Sequence, residues 1–289
     1  MSQAAPAEVD SSLLLVTQNY REWYRQGKRL EKQENYEEAL TYYDKAIECC
    51  PDEYWLWYDR GSVLRELGQY QEALASFDRA LKLRSNDYWT WYSRGYILLE
   101  ELDQFEEAIA NFDKALAIRR DDYWAWFRRG DAFRHLERYE DAISDYDEAL
   151  SIRRNDYWAW FRRGDALRHL RRYEDALKSY ETALSVRSDN FWIHYKIGDT
   201  LRHLERYEEA LASYQKATEL KPDDEYAWYN IACCAARVGK ESLALESLET
   251  ALKINLNFQI FVKTDPDLDV IQDREQLDEL LCKIAEWNP

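Results

Sequence analysis

The sequence predicts an all-α protein built as a stacked array of seven repeats and closed by a helical cap. Three observations predict it. The stretch Tyr157–Leu170 recurs almost letter for letter at Tyr123–Leu136, and looser copies begin at Tyr54, Tyr88 and Phe191; a period of about 34 residues marks a repeat array. Gly (8) and Pro (5) are scarce in 289 residues, which removes most of the punctuation that strands and turns require. Charged residues at 33% and hydrophobic residues at 46% suit amphipathic helices. A single core seldom grows much beyond this length, whereas in a solenoid each repeat meets only its neighbours.

Residues 1–19 read as a weakly structured tail, in which Leu13, Leu14, Leu15 and Val16 form a short capping helix or a self-ligand. Seven units follow over residues 20–258: 20–53, 54–87, 88–122, 123–156, 157–190, 191–224 and 225–258. The third is one residue longer, with the addition near Glu101–Asp103. Numbered from each unit's first residue, position 4 is Trp23, Trp57, Trp91, Trp126, Trp160, His194 and Trp228. Position 8 is Gly27, Gly61, Gly95, Gly130, Gly164, Gly198 and Ala232. With a shift of one in the third unit, position 20 is Ala throughout, from Ala39 to Ala244, and position 24 is Tyr43, Phe77, Phe112, Tyr146, Tyr180, Tyr214 and Leu248.

This pattern resembles the tetratricopeptide repeat (TPR) family over residues 20–258, and its wording is similar to that of multi-TPR proteins abundant in cyanobacteria, some of which assist complex assembly. The resemblance implies two antiparallel helices per unit, A then B, stacked into a right-handed superhelix with the A helices lining the concave side. The physics agrees. Small residues at positions 8 and 20 let helices approach, and large aromatics at 4 and 24 fill the space between units. Asp87, Asp122, Asp156 and Asp224 can cap the following A helices. Glu37–Glu38, Glu140–Asp141 and Glu174–Asp175 suit the positive end of helix B. Where the family often has Leu, position 7 carries Arg60, Arg94, Arg129 and Arg163, expected to meet a neighbouring carboxylate or carbonyl.

Residues 259–289 are expected to cap the array. Asp265–Pro266 reads as an N-cap with Pro in the first turn, followed by helical spacing of Leu268, Val270, Ile271, Leu277, Leu280, Leu281 and Ile284.

On a wheel of about 100° per residue, positions 2, 5, 6, 9, 12 and 13 of helix A share an arc opposite the packed face. The resemblance makes that arc the concave groove. Position 2 supplies Trp55, Trp89, Trp124, Trp158 and Trp192. Position 5 includes Phe127, Phe161 and Tyr195; position 6, Arg128, Arg162 and Lys196; position 9, Asp131, Asp165 and Asp199. Position 12 includes Arg134, Arg168 and Arg202, and position 13 His135, His169 and His203. Across the seven units the arc holds twelve Arg or Lys against seven Asp or Glu, a positive excess in a chain of net charge −17. Trp, Tyr and Arg are the residues that most often anchor interfaces. Units four and five match at 13 of 14 places over positions 1–14 but at only 8 of 14 over 18–31, so helix A is the more closely kept. The plainer reading is structural: the indoles stack on neighbouring helices and Arg pairs with Asp within one helix.

Other chemistries fit less well. The net negative charge opposes general attraction to nucleic acid or anionic membranes. The five Cys, two adjacent pairs and Cys282, make no disulfide framework and read as small apolar residues in a reducing, cytoplasmic setting. No basic leader opens the chain and no apolar run spans a membrane. The carboxylate clamp of TPR co-chaperones uses Lys at position 5 and Asn at 9, where this chain has aromatics and then Asp or Ser. His135, His169 and His203 stand on separate helices about 8–10 Å apart, too far to share one ion, so no metal is expected and they read as pH-sensitive charge. No catalytic motif occurs and no cofactor is implied.

The expected function is therefore that of a non-enzymatic scaffold. Its groove would hold an acidic, partly apolar peptide or helix of a partner, with Trp124, Trp158, Trp192, Phe127 and Phe161 as apolar area. Arg128, Arg162, Arg134, Arg168 and Arg202 would pair with carboxylates, oriented by Asp131, Asp165 and Asp199. The alternatives are single-stranded RNA on the same aromatic and Arg platform, which would bind with steep salt dependence, and self-association or occupation of the groove by residues 1–19.

Overall fold

A computed structural model describes residues 11–188, 190–262, 264–269, 271, 276–277, 279–280 and 282, with side chains from residue 20 onward. The described residues are helical and contain no strand. They divide into two compact units, Met1–Arg138 and Tyr139–Pro289. The first holds α1 (Ser11–Glu31), α2 (Tyr36–Cys49), α3 (Tyr54–Glu66), α4 (Tyr70–Leu83), α5 (Tyr88–Glu100), α6 (Phe105–Ile118) and α7 (Tyr123–His135). The second holds α8 (Tyr139–Ile152), α9 (Tyr157–His169), α10 (Tyr173–Val186), α11 (Phe191–His203), α12 (Tyr207–Leu220), α13 (Glu225–Arg237) and α14 (Glu241–Ile254). A 3-10 turn at Leu256–Phe258 and the short α15 (Gln259–Val262) follow. Odd-numbered helices through α13 are the A helices and even-numbered ones through α14 the B helices.

The A helices start where the sequence places a capping acid. Asp87, Asp122, Asp156 and Asp224 each accept a hydrogen bond from the backbone N–H three residues on, and Asn190 accepts from Trp192 N–H. Position 4 adds a second clamp. The indole N–H groups of Trp57, Trp91, Trp126, Trp160 and Trp228 donate to the carbonyls of Pro51, Ser85, Arg120, Arg154 and Pro222, each six residues earlier. The loop before each of these A helices is thus fastened to the helix it introduces.

Each hairpin turns at position 15, shifted by one in the longer third unit, through a left-handed residue: Glu34, Gly68, Asp103, Glu137, Arg171, Glu205 and Gly239, with φ between 52° and 72°. The next N–H then reaches back to a helical carbonyl, as in Arg172 N–H to Leu167 O at 2.9 Å. Only two of the seven are glycine, so five turns hold an L residue in a costly region.

Position 8 has a different reason to be small. A Cβ on Gly164 would lie 2.6 Å from the Tyr180 ring, and one on Gly198 2.9 Å from the Tyr214 ring. These rings are completely buried. In the last hairpin both partners change together, to Ala232 and Leu248, and a smaller side chain gives the methyl its room.

The position-7 guanidiniums are paired as expected. Arg60 meets Asp44 and Ser76, and Arg94 meets Asp78 and Asn111. Arg129 meets Asp113, and Arg163 meets Asp147 and Ser179. Each carboxylate lies on the preceding B helix, so the ion pairs join successive hairpins.

Three expectations change. Residues 11–19 continue α1 rather than forming a separate tail or short helix; residues 1–10 lie outside the described chain. Asp265 opens a turn over residues 264–269, not a helix: its carboxylate accepts from Asp267 N–H at 2.9 Å, and a proline follows. Cys233 and Cys234 are buried and act as core, but Cys49 and Cys50 are half-buried and Cys282 is exposed. Val270, Leu281 and Ile284 lie outside the described residues. No helix among the described residues is long and apolar enough to cross a membrane.

Candidate functional site

The position-2 indoles stand out from the A helices. Trp55, Trp89, Trp124, Trp158 and Trp192 are all roughly half exposed, up to 56% at Trp192. Each lies edge-on to the ring before it, about 5 Å between centroids. In the first unit Arg84 and Arg119, at the ends of α4 and α6, lie over the rings of Trp55 and Trp89 at 5.7 and 5.3 Å.

Position 5 does not share that exposure. Phe127 and Phe161 are 6% and 8% exposed, and Tyr195 is half-buried. They form the floor beneath the indoles: Trp124, Trp158 and Trp192 meet them edge-on at 6.1–6.3 Å. Their expected role as contact area is corrected to one of support. The wheel angle alone misplaced them, because it ignores how closely the neighbouring helices approach.

The position-9 carboxylates face inward. Asp165 and Asp199 accept from the phenols of Tyr180 and Tyr214 at 2.7 and 2.9 Å. Asp165 is also 3.6 Å from Lys196, one repeat on. Asp131 is buried, with Arg128 at 3.6 Å and Arg134 at 3.8 Å. Asp165 and Asp199 therefore hold the interior phenols, and Asp131 lies between two guanidiniums. Arg128 reaches Glu100 at 2.6 Å and lies over the Tyr96 ring. Arg162 is half-buried beside the Phe161 floor.

At position 12, Arg134 and Arg168 each bury an Nε atom that has no hydrogen-bond partner. Arg134 also touches His135. Arg202 pairs with Asp267 at 3.3 Å. Burial works against the Arg202 charge, but Tyr214, Asp199, Cys233 and Asp267 outweigh it and hold the guanidinium firmly protonated.

The position-13 imidazoles are exposed and stacked, one each, on the first ring of the preceding B helix. His135 lies on Phe105, His169 on Tyr139 and His203 on Tyr173, at 4.6–4.8 Å and within 9° of parallel. Arg237 takes the same place over Tyr207. Burial lowers the His203 pKa, with Asp199 pulling the other way and Arg202 reinforcing the decrease. Each imidazole covers the seam between its own hairpin and the one before it.

What the sequence did not reveal is an occupant. In the second unit, the turn after α15 lies across the A-helix face of α11 and α13. Asp265 accepts from Tyr229 Oη at 3.0 Å, with the Cys233 thiol 3.7 Å away. Asp267 faces Arg202 and, at 3.9 Å, Arg237. Leu268 is completely buried between these ties. Tyr229, Cys233, Arg202 and Arg237 are at positions 5, 9, 12 and 13, all within the predicted arc. Cys233, Asp265 and Asp267 bring their ligand-type atoms within 4.8 Å of one another, but a phenol and two guanidiniums already engage the carboxylates. The signal that would have found the occupant is charge: three Asp in alternation, opposite a face with a positive excess.

The tetratricopeptide repeat profile matches residues 24–88, 58–123, 152–192, 161–225 and 195–255, and a second tetratricopeptide repeat profile matches 123–156. The chain belongs to the tetratricopeptide repeat family. It is similar in structure to a tetratricopeptide repeat protein from Parabacteroides merdae (TM-score 0.61, 17% identity, 89% of this chain and 100% of that one). It is similar also to YrrB, a TPR protein with an unusual peptide-binding site (TM-score 0.59, 22% identity, 65% and 96%). PilF of Pseudomonas aeruginosa resembles it as well (TM-score 0.58, 17% identity, 72% and 95%). At these identities the likeness is one of fold. Among curated proteins none matches the sequence.

Proposed function

We propose that this chain is a non-enzymatic scaffold that holds an acidic, partly apolar segment of a partner protein on its A-helix face, and so brings that partner into a larger assembly. The observation that carries this reading is the occupant in the second unit. A turn segment with two carboxylates and a buried Leu already lies on positions 5, 9, 12 and 13. The half-exposed indoles of Trp158 and Trp192 extend that face beyond the occupant, and desolvated Trp beside Arg is the usual composition of an interface centre. The test is affinity capture with the wild type beside a Trp124/Trp158/Trp192→Ala variant whose helical content and melting temperature are unchanged. A partner held by the wild type and lost from the variant supports the reading. Identical captured sets contradict it.

A further inference from the structure

The occupant has an address in the repeat, and that address recurs one hairpin earlier. Asp267 sits between position 12 of α11 (Arg202) and position 13 of α13 (Arg237). The same two places one repeat back are Arg168 on α9 and His203 on α11. Tyr195 on α11 corresponds to Tyr229; its Oη accepts from Asn230 Nδ2 at 3.1 Å.

Two features separate this earlier slot from the filled one. The first is position 9. Cys233 is a neutral thiol there and leaves room for the Asp265 carboxylate, whereas Asp199 brings a carboxylate of its own, held by Tyr214 Oη. A ligand in the earlier slot needs only the counterpart of Asp267. The second is Arg168. Lys196 is drawn to Asp165, and Arg202 is committed to Asp267. Among the described residues no carboxylate lies within ion-pair distance of Arg168; its guanidinium faces the Tyr180 phenol, and its buried Nε has no hydrogen-bond partner. A half-buried guanidinium without a carboxylate is costly, and a supplied anion recovers that cost as binding energy.

We propose that Arg168 receives a carboxylate from a partner protein, and that the carboxylate belongs to an acidic residue followed directly by an aliphatic one, in the pattern of Asp267–Leu268. The neighbouring apolar residues of the partner rest on Trp158 and Trp192. This rests on the reading of the A-helix face as a protein-binding surface and names the partner chemistry of that face.

The probe is a fluorescein-labelled peptide of residues 264–271, TDPDLDVI, titrated into the full chain and followed by anisotropy. Saturable binding is expected. It should weaken at least about tenfold in Arg168→Gln and with the peptide bearing Asp267→Asn, the loss of one charge-assisted hydrogen bond. Lys178→Gln, on the exposed side of α10, should bind as the wild type does. Loss in Arg202→Gln with none in Arg168→Gln means that the peptide displaces the resident segment, and overturns the proposal. Binding that survives Arg168→Gln but not Trp158→Ala/Trp192→Ala overturns it too, while leaving the face itself as the binding surface. Absence of any binding removes the Asp–Leu pattern, and the capture experiment then judges the face alone.

Discussion

The Arg163 guanidinium lies 2.6 Å from the Asp147 carboxylate and 2.7 Å from the Ser179 hydroxyl, so one side chain joins α8, α9 and α10. The same geometry recurs at Arg60 and Arg94 in the first unit. The strength of these ties is limited by solvent, because the Asp147 side chain is half exposed. Asp147→Asn should therefore cost about 0.5 kcal/mol or less. Arg163→Ala should cost about 1–2 kcal/mol, since it also removes the guanidinium from over the Trp160 ring, 5.6 Å from its centroid. Urea midpoints of the two variants check the ordering; a larger loss for Asp147→Asn would contradict it.

Gly164 shows how closely helices A and B approach. An added Cβ would meet three ring atoms of Tyr180 within 3.0 Å, and that ring is buried and cannot swing aside. Gly164→Ala should lose about 1–3 kcal/mol from overpacking, offset by about 1 kcal/mol of helix propensity. The last hairpin suggests the compensation, since Ala232 faces Leu248 there. In a double-mutant cycle, Gly164→Ala and Tyr180→Leu should couple favourably by about 1 kcal/mol or more. Strict additivity would mean that the ring does not set the spacing.

The His203 stack makes stability depend on pH in a stated direction. Burial depresses the imidazole pKa in the folded chain, with Asp199 opposing and the nearby Arg202, Arg168 and Arg171 reinforcing. The unfolded chain takes up the proton first, at about 6.5. The stack's contribution is thus complete above that pH and is lost as pH falls through the folded value. Between pH 7.5 and 5 the wild type should lose more of its denaturation midpoint than His203→Gln. An equal loss would show that the stack is indifferent to charge.

The repeat register, the caps at Asp87, Asp122, Asp156 and Asp224, and the close helix contact at position 8 were legible because each depends on residue type at fixed spacing. The turn at position 15 was hidden because Glu137, Arg171 and Glu205 carry no glycine signal, although their φ values match those of Gly68 and Gly239. Within the candidate site, the exposure of Trp158 and Trp192 followed from the helical wheel, whereas the burial of Phe127 and Phe161 depends on how near the next helix stands. The segment 264–269 imitates a helix start, because Asp–Pro resembles a cap and Leu268 falls in helical spacing with Ile271. Only its contacts with Tyr229, Arg202 and Arg237 place it.

The central claim is that a partner is gripped by the A-helix face of the second unit, and site-specific photo-crosslinking tests it most directly. A benzophenone side chain is placed at Trp158 or Trp192 and, for comparison, at the exposed Lys178 or Gln215 of the B helices. Irradiation in cell extract should yield one discrete protein adduct from the Trp positions, diminished by added TDPDLDVI peptide, and none from the B-helix positions. The same adduct from Lys178 or Gln215, with none from Trp158 or Trp192, would contradict it.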